Sequence, residues 1–231
     1  MPTALITGGS SGIGLAVARA LRADGYELTV SSRRPEKVDA AAGELGAHGV
    51  AADVSKEEDC ERLVAAHGER FGRLDVLVNS AGIGIAGRVE ELSTKYFDLQ
   101  LAVNLRGLFL VTKLCLPLLK ESRGWIVNLA SIAGTIATPG LPAYGASKAA
   151  VIALTRTLNA ELEADGVRAV AICPGFVDTP MAEWSGIPPE EMIRPEDCAE
   201  LVRFLLRLSP HARVPQVVIE RLDSGGRGLP G

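Results

Sequence analysis

The chain has 231 residues, 47% hydrophobic and 23% charged, with a formal net charge of −4. That length suits one sizeable domain and is marginal for two. The charge leaves no basic footprint for nucleic acid, and no hydrophobic run reaches the ~18 residues of a membrane span, so neither partner is expected. Cys60, Cys115, Cys173 and Cys198 are scattered without a CxxC pair and read as reduced, mostly buried thiols of a cytoplasmic protein. His48, His67 and His211 stand alone and form no metal-ligand pattern. No signal peptide is expected, because the first strand begins almost at Pro2.

Thr3 to Thr7 is a short apolar run and reads as a buried strand. Gly8-Gly-Ser10-Ser11-Gly12-Ile13-Gly14 follows at once, and Leu15 to Ala23 is helical, ending near Gly25. Glycines between a strand and a helix let backbone approach a ligand, and the helix N-terminus behind them offers free N–H groups to a phosphate. The spacing is Gly-x-x-x-Gly-x-Gly, unlike the Gly-x-Gly-x-x-Gly of the general dinucleotide fingerprint. Glu27 to Ser32 is the second strand. Its end reads Ser32-Arg33-Arg34 and carries no acid. A carboxylate there would accept from a ribose hydroxyl, whereas guanidinium suits a 2′-phosphate, so the cofactor expected is NADP(H).

Glu36 to Leu45 is a short helix, and Gly49 to Val54 a third strand that sets Asp53 and Val54 at its C-terminal edge beside an adenine site. Ser55 is expected to cap the next helix, which runs to about Phe71, with Glu58 completing a capping box. Leu74 to Asn79 is the fourth strand, ending in Asn79-Ser80-Ala81-Gly82. Thr94 to Lys120 is one long apolar helix with Asn104 inside it, where an amide is unfavourable unless its side chain has a task. Trp125 to Leu129 and Val167 to Cys173 are the fifth and sixth strands. Residues 181–194, with Trp184 and several prolines, cannot be regular throughout and read as a short substrate lid. Pro195 opens a last helix, Gln216 to Glu220 is the seventh strand, and a Gly/Pro-rich tail that should fray follows from Asp223.

Alternating strands and helices predict an α/β fold: a single Rossmann-like domain over 1–231, with a doubly wound, seven-stranded parallel sheet and helices on both faces. Right-handed crossovers then bring the glycine turn, Arg33, Asp53, Asn79 and Ser131 to one sheet edge.

The stretch Ser131 to Lys148 reaches that edge between the fifth strand and a helix from Ala143 to about Ala164, with Pro142 suited to its first turn. Tyr144 and Lys148 are four apart and share one helix face. A nearby ammonium favours the phenolate, so Lys148 is expected to lower the Tyr144 pKa, and Ser131 can hydrogen-bond a substrate carbonyl. Such a set moves a proton on or off an oxygen while something else moves a hydride.

Taken together these residues resemble the short-chain dehydrogenase/reductase family over nearly the whole chain, from Thr7 to about Glu220. The family's Thr-Gly-x-x-x-Gly-x-Gly is Thr7 to Gly14, its acid after the third strand is Asp53, and its Asn-Asn-Ala-Gly is Asn79 to Gly82, with Ser80 for the second Asn. The helix Asn is Asn104, the Ser is Ser131, Tyr-x-x-x-Lys is Tyr144 and Lys148, and the nicotinamide-loop Pro-Gly is Pro174-Gly175. The resemblance implies hydride transfer at nicotinamide C4, with Tyr144 passing the proton, Lys148 holding the ribose, Ser131 orienting the carbonyl and Asn104 anchoring a water. It also implies that Ser10, Ser11 and Ile13 meet the phosphate side and Val177 and Thr179 the carboxamide, with Gly8, Gly12, Gly14, Asn79, Ala81 and Gly82 also among the cofactor-binding residues. Ser131, Tyr144 and Trp184 would meet the substrate, a small carbonyl or alcohol. The helices carrying Asn104 and Tyr144 pair across a two-fold axis in the family, so a homodimer or homotetramer is expected. A β-ketoacyl carrier-protein reductase is disfavoured, because Glu183, Glu190 and Glu191 would repel an acidic partner. An idle NADP-binding regulator would not require the complete Asn104, Ser131, Tyr144 and Lys148 set.

Overall fold

Seven strands, β1 (Thr3–Thr7), β2 (Glu27–Ser32), β3 (His48–Ala51), β4 (Val76–Asn79), β5 (Trp125–Leu129), β6 (Arg168–Pro174) and β7 (Gln216–Ile219), form one sheet in the order β3-β2-β1-β4-β5-β6-β7. Every pairing is parallel. This computed structural model describes residues 1–222, so the tail from Asp223 lies outside the described residues.

Parallel strands are covered on both faces, which is why β1, β4 and β5 are mostly apolar and are buried along their whole length. Successive side chains point to opposite faces. Ala4, Ile6, Val76, Val78 and Val127 pack with Val17 and Leu21 of α1 (Gly12–Ala23), Leu45 of α2 (Pro35–Leu45) and Val202 and Leu205 of α7 (Pro195–Leu206). Leu5, Leu77 and Ile126 pack the other way, against Leu63 of α3 (Glu57–Phe71), Val111 and Cys115 of α5 (Leu108–Ser122) and Leu158 of α6 (Pro142–Glu161). β1 pairs with β2 on one side and β4 on the other, so the winding reverses there and a crevice opens above the strand ends.

Three expectations need correction. The helix from Thr94 is interrupted: α4 (Thr94–Leu101) passes into a π-helix over Ala102–Gly107 before α5. Asn104 sits in that segment, and π-turns often mark functional positions. Gly107 lets the π-turn lie against the β3–α3 connection, since a Cβ there would stand 2.6 Å from the Val54 carbonyl oxygen. By length and composition the Thr94–Ser122 rod is apolar enough to cross a membrane, contrary to the run-length reading, with 44% of its most apolar window buried inside the fold. Third, Ser55 does not cap α3. Its backbone N–H and hydroxyl donate to Asp53 Oδ1 at 3.0 and 2.7 Å, while Asp59, not Glu58, reaches back to the Asp53 N–H at 2.8 Å. A local Asx turn has outcompeted the capping box.

All four cysteines are buried and unpaired. His67 is fully buried, its Nδ1 2.8 Å from Thr29 Oγ1 and its Nε2 2.9 Å from the Arg73 carbonyl. Burial lowers its pKa, so it is a neutral core group.

Candidate active site

Local chain geometry builds the first wall of the crevice. Gly8 and Gly12 have φ of +68° and +52°, where a side chain is strained, and a Cβ on Gly8 would meet the Ala81 nitrogen at 2.8 Å. Gly14 does not line the crevice; a Cβ there would stand 2.4 Å from the Gly8 carbonyl oxygen, so its glycine serves close packing. Ser11 N-caps α1 without a side-chain bond, leaving the first N–H groups uncapped from within.

Ser10, Ser11, Gly12 and Ile13 border a cavity of about 300 Å³. Its far end is lined by Ser32, Arg33, Arg34 and Lys37, its side by Val54, and its floor by Ser80 to Ile83 with Val103. Lys37 and Val103 escaped the sequence reading. Lys37 lies beyond the strand end, and Val103 shows only once the π-turn is formed. Ser10 Oγ donates to Ser32 Oγ at 2.8 Å. Ser31 Oγ is buried and without a partner on the same wall, an orphaned hydroxyl that fits a polar ligand. Arg33 makes no ion pair among the described residues, and Arg34 only a 4.0 Å approach to Glu36. The glycine cradle, the uncapped helix N-terminus and three cations at one end suit a dinucleotide with an extra phosphate.

Three expected residues stand back from this cavity. Asp53 lies two residues past β3 and is engaged by Ser55. Asn79 points along the sheet, with Nδ2 donating to Thr112 Oγ1 at 3.0 Å and Asn128 Oδ1 at 2.9 Å. Asn128 Nδ2 in turn donates to Thr155 Oγ1 at 2.9 Å, so a buried polar chain ties β4 and β5 to α5 and α6. Asn104 is buried, its Oδ1 accepting from the Ile83 N–H at 2.8 Å and its Nδ2 donating to the Ile83 carbonyl and to Ser147 Oγ at 2.9 and 3.1 Å. Both amide donors are therefore used in joining the loop after β4 to α6.

Tyr144 and Lys148 rise from the first turns of α6 and line the cavity. Ser131 lies beside the Tyr144 hydroxyl, near enough to pull its pKa down. Lys148 Nζ donates to the Leu129 carbonyl at 2.6 Å and lies 5.6 Å from the Tyr144 ring centre. The pKa expectation is thereby corrected: burial raises Tyr144, opposed by Ser131, while burial lowers Lys148 to about 8. The phenol is held as a neutral acid, and the ammonium is aimed at the end of β5.

Gly134 brings the loop after β5 onto α6, since a Cβ there would stand 2.7 Å from the Lys148 carbonyl carbon and 2.8 Å from the Ala149 nitrogen. Gly134→Ala should therefore cost about 1–3 kcal/mol of stability by overpacking and displace the Tyr144–Lys148 turn. Thermal midpoint and turnover should fall together; a variant matching wild type in both would show that the loop yields freely.

A second cavity, of about 440 Å³, begins at Ser131 and Tyr144. Pro174, Gly175 and Val177 line this one, not the glycine-turn cavity, while Thr179 and Met181 border both. Trp184 lines it and meets Phe176 edge-on, ring centres 6.1 Å apart at 66°. Phe176 was missed because a single aromatic after Pro-Gly carries no period. Residues 181–194 hold two 3₁₀ turns, Glu183–Ser185 and Pro189–Glu191. They are anchored by the Ile193 N–H bond to the Phe176 carbonyl at 3.0 Å.

Comparison with known proteins agrees with this architecture. A sequence model of the family described as short chain dehydrogenase matches residues 2–186. An uncharacterized oxidoreductase of Staphylococcus epidermidis is 35% identical over 219 residues, 94% of this chain and 95% of that one. An alcohol dehydrogenase from the archaeon Thermococcus sibiricus, complexed with 5-hydroxy-NADP, is 37% identical with a TM-score of 0.88, covering 95% of this chain and 96% of that one. A 3-ketoacyl-(acyl-carrier-protein) reductase from Brucella melitensis, complexed with NADH, is 32% identical with a TM-score of 0.87 over the same shares, 95% and 96%. With its parallel sheet, glycine cradle and Ser131–Tyr144–Lys148 cluster, this chain belongs to the short-chain dehydrogenase family of oxidoreductases.

Proposed function

We propose that the protein is an NADP(H)-dependent oxidoreductase that interconverts a small carbonyl compound and its alcohol. The observation that carries this reading is that Tyr144 borders both cavities, so one acid faces a dinucleotide-shaped groove and a separate substrate chamber. NADPH, when bound, supplies the hydride. Tyr144 gives its proton to the carbonyl oxygen as the new C–H bond forms, and Ser131 donates a hydrogen bond to that oxygen. Lys148 stabilises the phenolate left behind and has further N–H donors for the ribose. Asn104 acts as a positioning residue, since its amide donors are committed to Ile83 and Ser147. Residues 181–194 form the lid of the substrate chamber, within a single domain. Buried, unpaired cysteines fit a cytoplasmic setting.

Loss of NADPH absorbance against a panel of ketones and aldehydes tests the activity; no oxidation by protein that binds NADPH would refute it. A carrier-protein substrate is the weaker reading, because Arg194 is already paired with Asp197 at 2.7 Å and Glu183 stands beside Trp184 at the mouth.

The proposed assembly is a homodimer or homotetramer. Leu101, Ala102, Leu105, Phe109 and Leu154 line a shallow groove on α4, the π-turn, α5 and α6, and Phe109 is 47% exposed. Apolar surface on helices already packed against the sheet wants a partner. Light scattering at micromolar concentration should give at least twice the 24.3 kDa chain mass; a monomer would contradict the assignment.

A further inference from the structure

We infer that the second cavity selects uncharged carbonyl compounds carrying a flat apolar group, which Trp184 holds, and rejects carbonyl compounds bearing an anion. This rests on the hydride-transfer reading only for where the carbonyl sits.

Among the described residues, no Asp, Glu, Lys, Arg or His lines the chamber. Its polar side-chain groups are the hydroxyls of Ser131, Thr138, Tyr144 and Thr179 and, at the rim, the Trp184 indole N–H. Ser131 and Tyr144 face the reacting oxygen. Thr179 Oγ1 donates to the Val177 carbonyl at 3.2 Å, and Thr138 Oγ1 to the Ile136 carbonyl at 3.5 Å. A carboxylate brought inside would thus lose its water and, beyond the Trp184 indole N–H at the rim, meet no side-chain donor left over and no cation among the described residues, which is costly in a low-dielectric site. Lys148 does not line this chamber, its ammonium being bound to Leu129. At the mouth, Arg194 is held by Asp197 and Arg221 approaches Glu191 at 3.7 Å, so the nearby cations already face acids.

The mouth is apolar instead. Trp184 is 58% and Met181 43% exposed, and both line this chamber, so together they form an apolar rim. The edge-on contact with Phe176 uses at most one face of the indole, leaving the other for a ring of the substrate.

The test uses matched probes: acetophenone against 4-acetylbenzoate, and ethyl 3-oxobutanoate against 3-oxobutanoate. Binding is read from tryptophan fluorescence, to which Trp184 contributes the exposed signal because Trp125 is 4% exposed. Turnover is read from NADPH oxidation. The neutral member of each pair should quench and should exceed its anion in kcat/KM by about a hundredfold, the scale of one missing charged hydrogen bond. Trp184→Ala should lower the ratio of acetophenone to 2-butanone turnover by about tenfold, the scale of one lost aromatic contact. Ala86→Arg, at an exposed position lining the chamber, should raise affinity for 4-acetylbenzoate. An anion bound within threefold of its neutral partner, an absence of quenching by either, or an aryl-to-alkyl ratio unmoved in Trp184→Ala would overturn the inference. Selective binding of the neutral probes with no NADPH oxidation would uphold it and refute the hydride-transfer reading instead.

Discussion

Replacing Tyr144 by Phe should abolish carbonyl reduction while NADPH binding persists. The ring keeps its packing, and the Lys148 bond to Leu129, which ties α6 to β5, does not involve the phenol. Only the hydroxyl that Ser131 contacts is removed. A positioned acid–base group contributes roughly 10²–10⁴-fold, so turnover should fall by at least that range. Near-wild-type reduction by the pure variant would refute the assignment. The pH profile adds an independent check. Lys148 carries its charge below about 8, so reduction should be flat below that value and decline above it as the ammonium is lost. Stability runs the other way. The Lys148 pKa is depressed from 10.5 to about 8, so between those values the unfolded chain binds more protons and this residue's contribution to stability rises with pH. Activity that falls across a window where stability does not separates deprotonation from unfolding. In Lys148→Arg, which stays charged, the alkaline decline should disappear from whatever activity remains.

What the residues revealed in advance depended on how local the cause was. The glycine turn was legible because a strand, three glycines and a helix are consecutive, and φ of +68° at Gly8 is a demand of that turn alone. Tyr144 and Lys148 were legible as neighbours from their spacing on α6. The net shift of Tyr144 was not, because burial outweighs the ammonium, and Lys148 Nζ takes its partner from Leu129, nineteen residues away and on the sheet. The same limit hid the work of Asn79 and Asn104. A buried amide in an apolar run signals a task, but Thr112, Asn128, Ile83 and Ser147 are brought to them only by the packing of β4, β5, α5 and α6. The π-turn at Ala102–Gly107 left no trace in the apolar period, since it depends on Gly107 meeting the Val54 carbonyl from a different connection. Ser55 misled for the opposite reason: two local motifs competed for it, and Asp53 was closer than α3.

Cofactor choice should be reversible by one charge at the end of β2. Ser32 accepts from Ser10 Oγ at 2.8 Å, so its own hydroxyl proton is free to donate, and Arg33, Arg34 and Lys37 line the same end of the cavity. Among the described residues nothing acidic lines that end. A charged hydrogen bond to phosphate corresponds to roughly ten- to a hundredfold in affinity. All three cations are exposed and therefore screened by salt, which puts Arg33→Ala near the tenfold end for NADPH, with NADH almost unmoved. Lys37→Ala should act in the same direction and more weakly, because a flexible ammonium lacks the guanidinium fork. Ser32→Asp should have the largest effect. Its carboxylate can still accept from Ser10, so the local bond survives, while it repels a 2′-phosphate and offers an acceptor to a free 2′-hydroxyl. Loss on one cofactor and gain on the other multiply, so the NADPH-to-NADH preference should shift by about a hundredfold or more. Paired titrations with NADPH and NADH at two salt concentrations decide the matter. The arginine effect should shrink as salt rises, and the Ser32→Asp reversal should shrink less, because an acceptor on the ribose hydroxyl is short-ranged. If wild type binds NADH as tightly as NADPH at low salt, the cations at the end of β2 are solvated surface and the NADP(H) assignment is wrong.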